Sequence, residues 1–121
     1  MGAPSILSVD QFLLVTLHQE LNDTDVEPLQ TEVGARVVAT GARGVVLDLS
    51  GVAVIDSYTG RAIAGLVQAT GLLGAQTIVA GMRPEVAITL VELGMTLPGI
   101  PTARDVNLGL AALRERTGQR L

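Results

Sequence analysis

Val45-Val46-Leu47-Asp48-Leu49-Ser50-Gly51-Val52-Ala53-Val54-Ile55-Asp56-Ser57-Tyr58-Thr59-Gly60-Arg61 reads as a buried strand, a short loop and a helix opened by Asp56-Ser57. Residues 45–49 are almost continuously apolar, the pattern of a central strand covered on both faces. From Ser57 the period turns helical, with Ile63, Leu66, Val67, Thr70 and Leu73 on one face. The join sets a small hydroxyl at a helix N-terminus, beside an acid and one turn ahead of Arg61. A hydroxyl there can cap the helix, and free N–H groups and the helix dipole also make the place suitable for a phosphate. Which of these two uses applies to Ser57 is the question the sequence raises.

The pattern extends in both directions. Residues 6–9 and 12–17 are short β-type runs split by Asp10-Gln11, which predicts a hairpin. Asn22-Asp23-Thr24-Asp25 is a cap cluster, with Thr24 and Glu27 at capping-box spacing and Pro28 in the first turn. Leu29, Val33, Arg36, Val37 and Thr40 then share a helical face, and Gly41 ends it. Gly65 weakens the helix after Ser57 by ~1 kcal/mol relative to Ala, which close approach of that helix to the sheet would offset; Gly71 and Gly74 loosen or end it.

Residues 77–80 form a further strand, and Gly81-Met82-Arg83-Pro84 turns into a helix carrying Val86, Ile88, Leu90, Val91 and Leu93 up to Gly94. Residues 96–100 read as an edge strand, since Pro98 cannot donate to a ladder. Thr102 is expected to cap a last helix with Asp105 in its first turn, Val106, Leu110 and Leu113 on its inner face, and Arg114, Arg116 and Arg120 near its end. The order β-β-α-β-α-β-α-β-α is that of an α/β domain with a mixed, mostly parallel sheet of about four to five strands and about four helices. One domain is expected to span residues 1–121.

Composition narrows the function. With only Phe12 and Tyr58 as aromatics, the core is built from Val, Leu, Ile and Ala. A net charge of −4 and eight scattered arginines, with no lysine, argue against nucleic acid, which needs a basic face. No cysteine is present, so disulfides, thiolate catalysis and cysteine zinc sites are absent together. Residues 1–5 do not start a signal peptide, and no apolar run nears the ~20 residues of a membrane span. A cytoplasmic protein, without membrane, metal or cofactor, is expected.

Catalytic motifs are missing. There is no G-x-G-x-x-G, no Gly-Lys phosphate loop and no Gly-x-Ser-x-Gly elbow around which the lone His18 could act. Asp48 near a strand end occupies the kind of position held by a receiver phosphoacceptor, but the acidic pair and lysine of a receiver are absent; a carboxylate bonded to nearby backbone is expected. Tyr58 suits either a binding hot spot or packing over the helix start, and Thr59 is a secondary phosphorylation candidate or a local hydrogen-bonding group. A small nucleotide-binding module using the crevice near Asp48 and Ser57 stays open as a separate class.

At residues 44–66 the chain resembles a STAS domain, the fold of anti-sigma factor antagonists, matching its VVLDLSGV…IDS pattern. The resemblance extends to Gly81, to Val91-Glu92-Leu93-Gly94 and to Thr102-Ala103-Arg104-Asp105. It implies a mixed sheet with helices mainly on one side. Sporulation-type antagonists carry two serines and a glycine after the aspartate, whereas this chain reads Asp56-Ser57-Tyr58-Thr59-Gly60-Arg61, more like the single-domain scaffold of the bacterial stressosome.

For such a scaffold the resemblance implies phosphorylation at Ser57 by a GHKL-type serine kinase. Asp56, Tyr58, Thr59 and Arg61 would shape the kinase-docking surface, with Asp48 and Gly60 structural beside it. It further implies sensor partners with a C-terminal STAS domain, a resetting phosphatase, and homo- and hetero-oligomers. With no sensor segment ahead of the fold in this sequence, a scaffold is expected over a sensor. A stand-alone antagonist binding an anti-sigma kinase is the alternative within the same fold.

Overall fold

Gly44–Gly51 forms strand β3, the middle of a five-stranded sheet, in a computed structural model that describes residues 5–18, 23–94 and 100–118. In chain order the elements are β1 Ser5–Val9, β2 Phe12–His18, α1 Asp23–Thr40, β3, α2 Ser57–Leu72, β4 Gln76–Ala80, α3 Pro84–Glu92, β5 Thr102–Ala103 and α4 Val106–Thr117. Space follows sequence, β1-β2-β3-β4-β5, with β1–β2 antiparallel and every other pair parallel. The two-residue turn Asp10-Gln11 closes the expected hairpin, with Asp10 at φ 55°.

The near-continuous apolar run in β3 has a direct cause. Val45, Leu47 and Leu49 face one layer, with Leu29, Val33 and Val37 of α1, Ile63, Leu66 and Val67 of α2, and Val86 and Leu90 of α3. Val46 faces the other, with Phe12, Ile78 and Leu110 and Leu113 of α4. Three helices thus share one side, as the resemblance implies. The fourth crosses to the back because Phe12, Val46 and Ile78 form an apolar patch that needs cover.

Several local expectations are corrected. The edge strand lies at Thr102–Ala103, not at 96–100; residues 95–99 fall outside the described residues, and Ile100 is in no strand. Thr102 pairs with Val79, so it cannot cap α4. Asp105 is the cap, its Oδ1 accepting from the Leu108 N–H at 2.9 Å. Helix α1 already runs from Asp23, which puts Thr24 inside it rather than at a cap. Gly65 approaches α1, not the sheet: a Cβ there would sit 3.0 Å from Gln30 Nε2, which donates to the Ala62 carbonyl at 3.2 Å. Leu73 leaves the buried face of α2 and lies 3.6 Å from where a Gly34 Cβ would be. Helix α3 falls where expected, except that Leu93 caps it rather than lying within it; Val86 and Leu90 form its buried face, and Ile88, Val91 and Leu93 are exposed. Arg120 lies outside the described residues.

Two glycines with positive φ differ in what surrounds them. Gly41 (φ 66°) ends α1, the Ala42 N–H reaching back to the Val37 carbonyl, with open space where a Cβ would go. Gly81 (φ 70°) follows β4, and a Cβ there would lie 2.9 Å from Ser50 Cβ and 3.2 Å from Asp48 Oδ1. Gly41→Ala should cost only the left-handed backbone conformation, roughly 1–2 kcal/mol. Gly81→Ala should cost more, by ~1–3 kcal/mol of overlap against the end of β3. Urea unfolding midpoints of the two variants check the order; equal losses would mean that the turn after β4 does not press on β3.

Candidate functional site

The carboxyl end of β3 is where the sheet delivers its loop. Asp48 Oδ1 accepts the Ser50 N–H at 3.0 Å, the local backbone bond expected of this carboxylate. The Val52 N–H then bonds the Leu49 carbonyl at 3.0 Å, turning the chain out of the strand. Val52 and Ile55 are buried and anchor the loop, while Val54 between them is exposed.

Asp56 has extended backbone (φ −107°, ψ −179°) and ends the loop. Its carbonyl accepts the Gly60 N–H at 2.9 Å, the first bond of α2, and its Oδ1 accepts the Thr59 N–H at 2.8 Å. Asp56 is therefore the N-cap, and Ser57 is the first helical residue. This decides half of the question that the sequence raises: the cap is the acid, so the serine is not needed for it. The Ser57 side chain is half-buried, and its hydroxyl has no hydrogen bond among the described residues.

The hydrogen bonds that Asp56 accepts, from Thr59 first, hold its carboxyl below the ordinary carboxylate range. The group is an anion at neutral pH beside the Ser57 hydroxyl. Tyr58 is 41% exposed on the outer side of the same turn. Gly60 is buried, and Arg61 is exposed without a salt bridge among the described residues.

Thr59 faces a shallow recess of about 210 Å³ that it shares with Asp56, Val52, Val54, Ile55, Leu17 and His18. His18 arrives there because β2 and β3 run parallel, pairing His18 with Gly51. Two residues of this end were not picked out as site residues in the sequence, His18 and Arg83. Arg83 Nε donates to the Ser50 carbonyl at 3.2 Å, tying the start of α3 to the end of β3. Sequence spacing holds no sign of a contact across 33 positions; the parallel neighbourhood of β3 and β4 creates it.

A family model described as STAS domain matches residues 3–109. The chain is 29% identical over 111 residues to the RsbT co-antagonist protein RsbRD of Bacillus subtilis (strain 168), covering 92% of this chain and 40% of that one. It is 26% identical over 121 residues to the co-antagonist RsbRA of the same organism, covering 100% and 44%. The chain thus spans less than half the length of these relatives. Among solved structures, a glutamate-for-serine variant of RsbS from Moorella thermoacetica superimposes with a TM-score of 0.85 at 30% identity, covering 96% of this chain and 98% of that one. A chain of the stressosome, described as a signal integration and transduction hub, gives 0.85 at 31% identity, covering 96% and 100%.

Asp56→Ala should lower the thermal midpoint clearly more than Ser57→Ala, which should stay within ~0.5 kcal/mol of the unmodified chain. For acid, the folded-state value of Asp56 lies below its unfolded one. Its contribution is therefore complete above the unfolded value and is lost as pH falls through the folded value. Asp56→Asn keeps a cap without the charge, so its midpoint should fall less steeply than that of the unmodified chain between about pH 5 and pH 2. Parallel pH profiles would contradict the cap assignment.

Proposed function

The chain belongs to the STAS-domain family, and from that premise we propose that it is a phosphorylatable scaffold of a stressosome-type signalling complex, with Ser57 as the modified residue. The observation that carries this reading is the division of labour at the start of α2. Asp56 makes the capping bond and leaves the Ser57 hydroxyl without a partner among the described residues, half-buried at the first helical position. The structural likeness to RsbS and to a stressosome chain supports the class of assembly.

In the unmodified state a GHKL-type serine kinase rests on the surface formed by Asp56, Tyr58, Thr59 and Arg61. Tyr58 contributes apolar area with a polar tip, and Asp56 and Arg61 contribute charges of opposite sign. The kinase transfers the γ-phosphoryl group of ATP to Ser57 Oγ; the O–H proton leaves and ADP is released. The phosphate brings about −1.5 to −2 charges to a place that already holds the Asp56 carboxylate. The positive end of the α2 dipole stabilises it.

A docking face that changes its field this sharply releases a partner that fitted the earlier one. The kinase leaves for a downstream target, and a phosphatase resets the site by hydrolysis. Sensor proteins bearing a C-terminal STAS domain share the assembly, which is cytoplasmic, and the chain itself contributes no catalytic group. Thr59 is a second acceptor in the same turn, with its N–H tied to Asp56 and its side chain at the recess.

Ser57→Ala should keep the kinase bound in a pull-down with Mg-ATP, under conditions where the unmodified chain lets it go. Ser57→Asp should weaken kinase binding without ATP, raising Kd about tenfold or more, a change of ~1.4 kcal/mol. Release of kinase from Ser57→Ala at the ordinary rate would sink this reading, and unchanged affinity of Ser57→Asp would remove its electrostatic basis.

A further inference from the structure

Ser57 and Thr59 stand on opposite flanks of α2. They are two residues apart, ~200° around a helix of about 3.6 residues per turn. The buried face of Gly60, Ile63, Leu66, Val67 and Thr70 lies between them. Thr59 faces the recess it shares with Leu17 and His18 of β2. Helix α1 lies on that flank too, where Gln30 Nε2 donates to the Ala62 carbonyl at 3.2 Å. In the sheet, β3 has β2 on one side and β4 on the other. The flank that carries Ser57 is therefore the one turned toward β4 and α3. Ser57 is half-buried there, and the exposed Arg61 follows it four residues on, along the same side.

Arg83 comes to this flank from across the gap. Helices α2 and α3 follow the carboxyl ends of the parallel strands β3 and β4, so both begin at one edge of the sheet. Arg83 is the N-cap residue of α3, but its side chain makes no capping bond. It runs back toward β3 instead, where Nε donates to the Ser50 carbonyl at 3.2 Å. Gly81 keeps this passage open, since a Cβ there would lie 2.9 Å from Ser50 Cβ. With Nε at Ser50, the Nη groups form the far end of the side chain, beside the loop that opens α2.

The charges on this flank are unbalanced. Neither Arg83 nor Arg61 pairs with a carboxylate among the described residues. The acids close to them in the chain are otherwise engaged or turned to their own helix. Asp48 Oδ1 accepts the Ser50 N–H, Asp56 Oδ1 accepts the Thr59 N–H, and Glu85 sits in the first turn of α3.

We propose that Arg83 is the residue that receives the phosphate of modified Ser57, its Nη groups donating to the phosphate oxygens while Nε keeps the Ser50 carbonyl. A guanidinium fits this role because its planar fork offers parallel donors to a phosphate and stays charged at any working pH. The contact joins the starts of α2 and α3, so phosphate on one helix also changes the charge that the other presents. It offsets part of the repulsion from Asp56. The inference rests on Ser57 as the modified residue and names the group that holds the modification in place.

Phosphoserine placed at position 57 of the full chain during translation tests the pairing without any kinase. Its second ionisation, ordinarily at pH ~6, is followed by phosphorus NMR. A guanidinium bonded to the phosphate favours the dianion, so Arg83→Gln should raise that ionisation by ~0.5 or more. Arg83→Lys should raise it less, because a point charge keeps the attraction and loses the fork. Arg43→Gln removes an equal charge just ahead of β3, at the opposite edge of the sheet, and should leave the value in place.

An ionisation unmoved by Arg83→Gln, or moved as far by Arg43→Gln, would overturn the proposal. If Arg83→Gln does not fold, Arg83→Lys decides alone: a rise supports the pairing and no rise overturns it. A kinase that leaves Ser57 unmodified would sink the proposed function without touching this result, whereas an unmoved ionisation strikes only the role of Arg83.

Discussion

Strand β3 has no face open to water, and the rest of the domain is arranged around that constraint. Covering Val45, Leu47 and Leu49 requires the α1–α3 layer, and covering Val46 requires α4. Each such Val or Leu contributes roughly 1.5–3 kcal/mol on burial, so a break in either layer is expensive for a domain of this size. Parallel pairing on both sides then brings the ends of β2, β3 and β4 to one edge. The functional candidates gather there because the core demands it: His18 from β2, residues 52–61 after β3, and Arg83 after β4.

At that edge the chemistry is divided between neighbours. An acid and a hydroxyl stand next to each other, and both are good helix caps. The acid takes the role, with one short bond to the Thr59 N–H, and its charge is kept by the same bond. The hydroxyl is then available at small structural cost. A phosphate placed on it meets the positive end of the α2 dipole and a carboxylate beside it, so attraction to the helix and repulsion from Asp56 coexist. Such a site changes its outward field on modification while the fold beneath it, fixed by buried Val52 and Ile55, stays where it is.

Much of this was legible in the sequence. The apolar run at 45–49, the hairpin at Asp10-Gln11 and the helix start at Asp56-Ser57 all follow from period and turn chemistry, and each is where the reading puts it. What periodicity does not contain is the identity of the layer that a buried face meets. It marks Leu110 and Leu113 as inward without telling that α4 lies behind the sheet, and it leaves Gly65 without its neighbour Gln30. Thr102 and Asp105 are equally plausible caps by residue type; pairing of Thr102 with Val79 is a tertiary event that decides between them. Asp56 and Ser57 pose the same choice, and there too the geometry of the chain before the helix makes the decision.

The central claim is that Ser57 is the residue left free for modification. Its most direct test is to incubate the purified chain with a GHKL-type switch kinase and Mg-ATP and to map the phosphate by mass spectrometry. The account predicts phosphate on Ser57 that disappears in Ser57→Ala. Phosphate on Thr59 alone, or none under conditions where the kinase is active on another substrate, would contradict it.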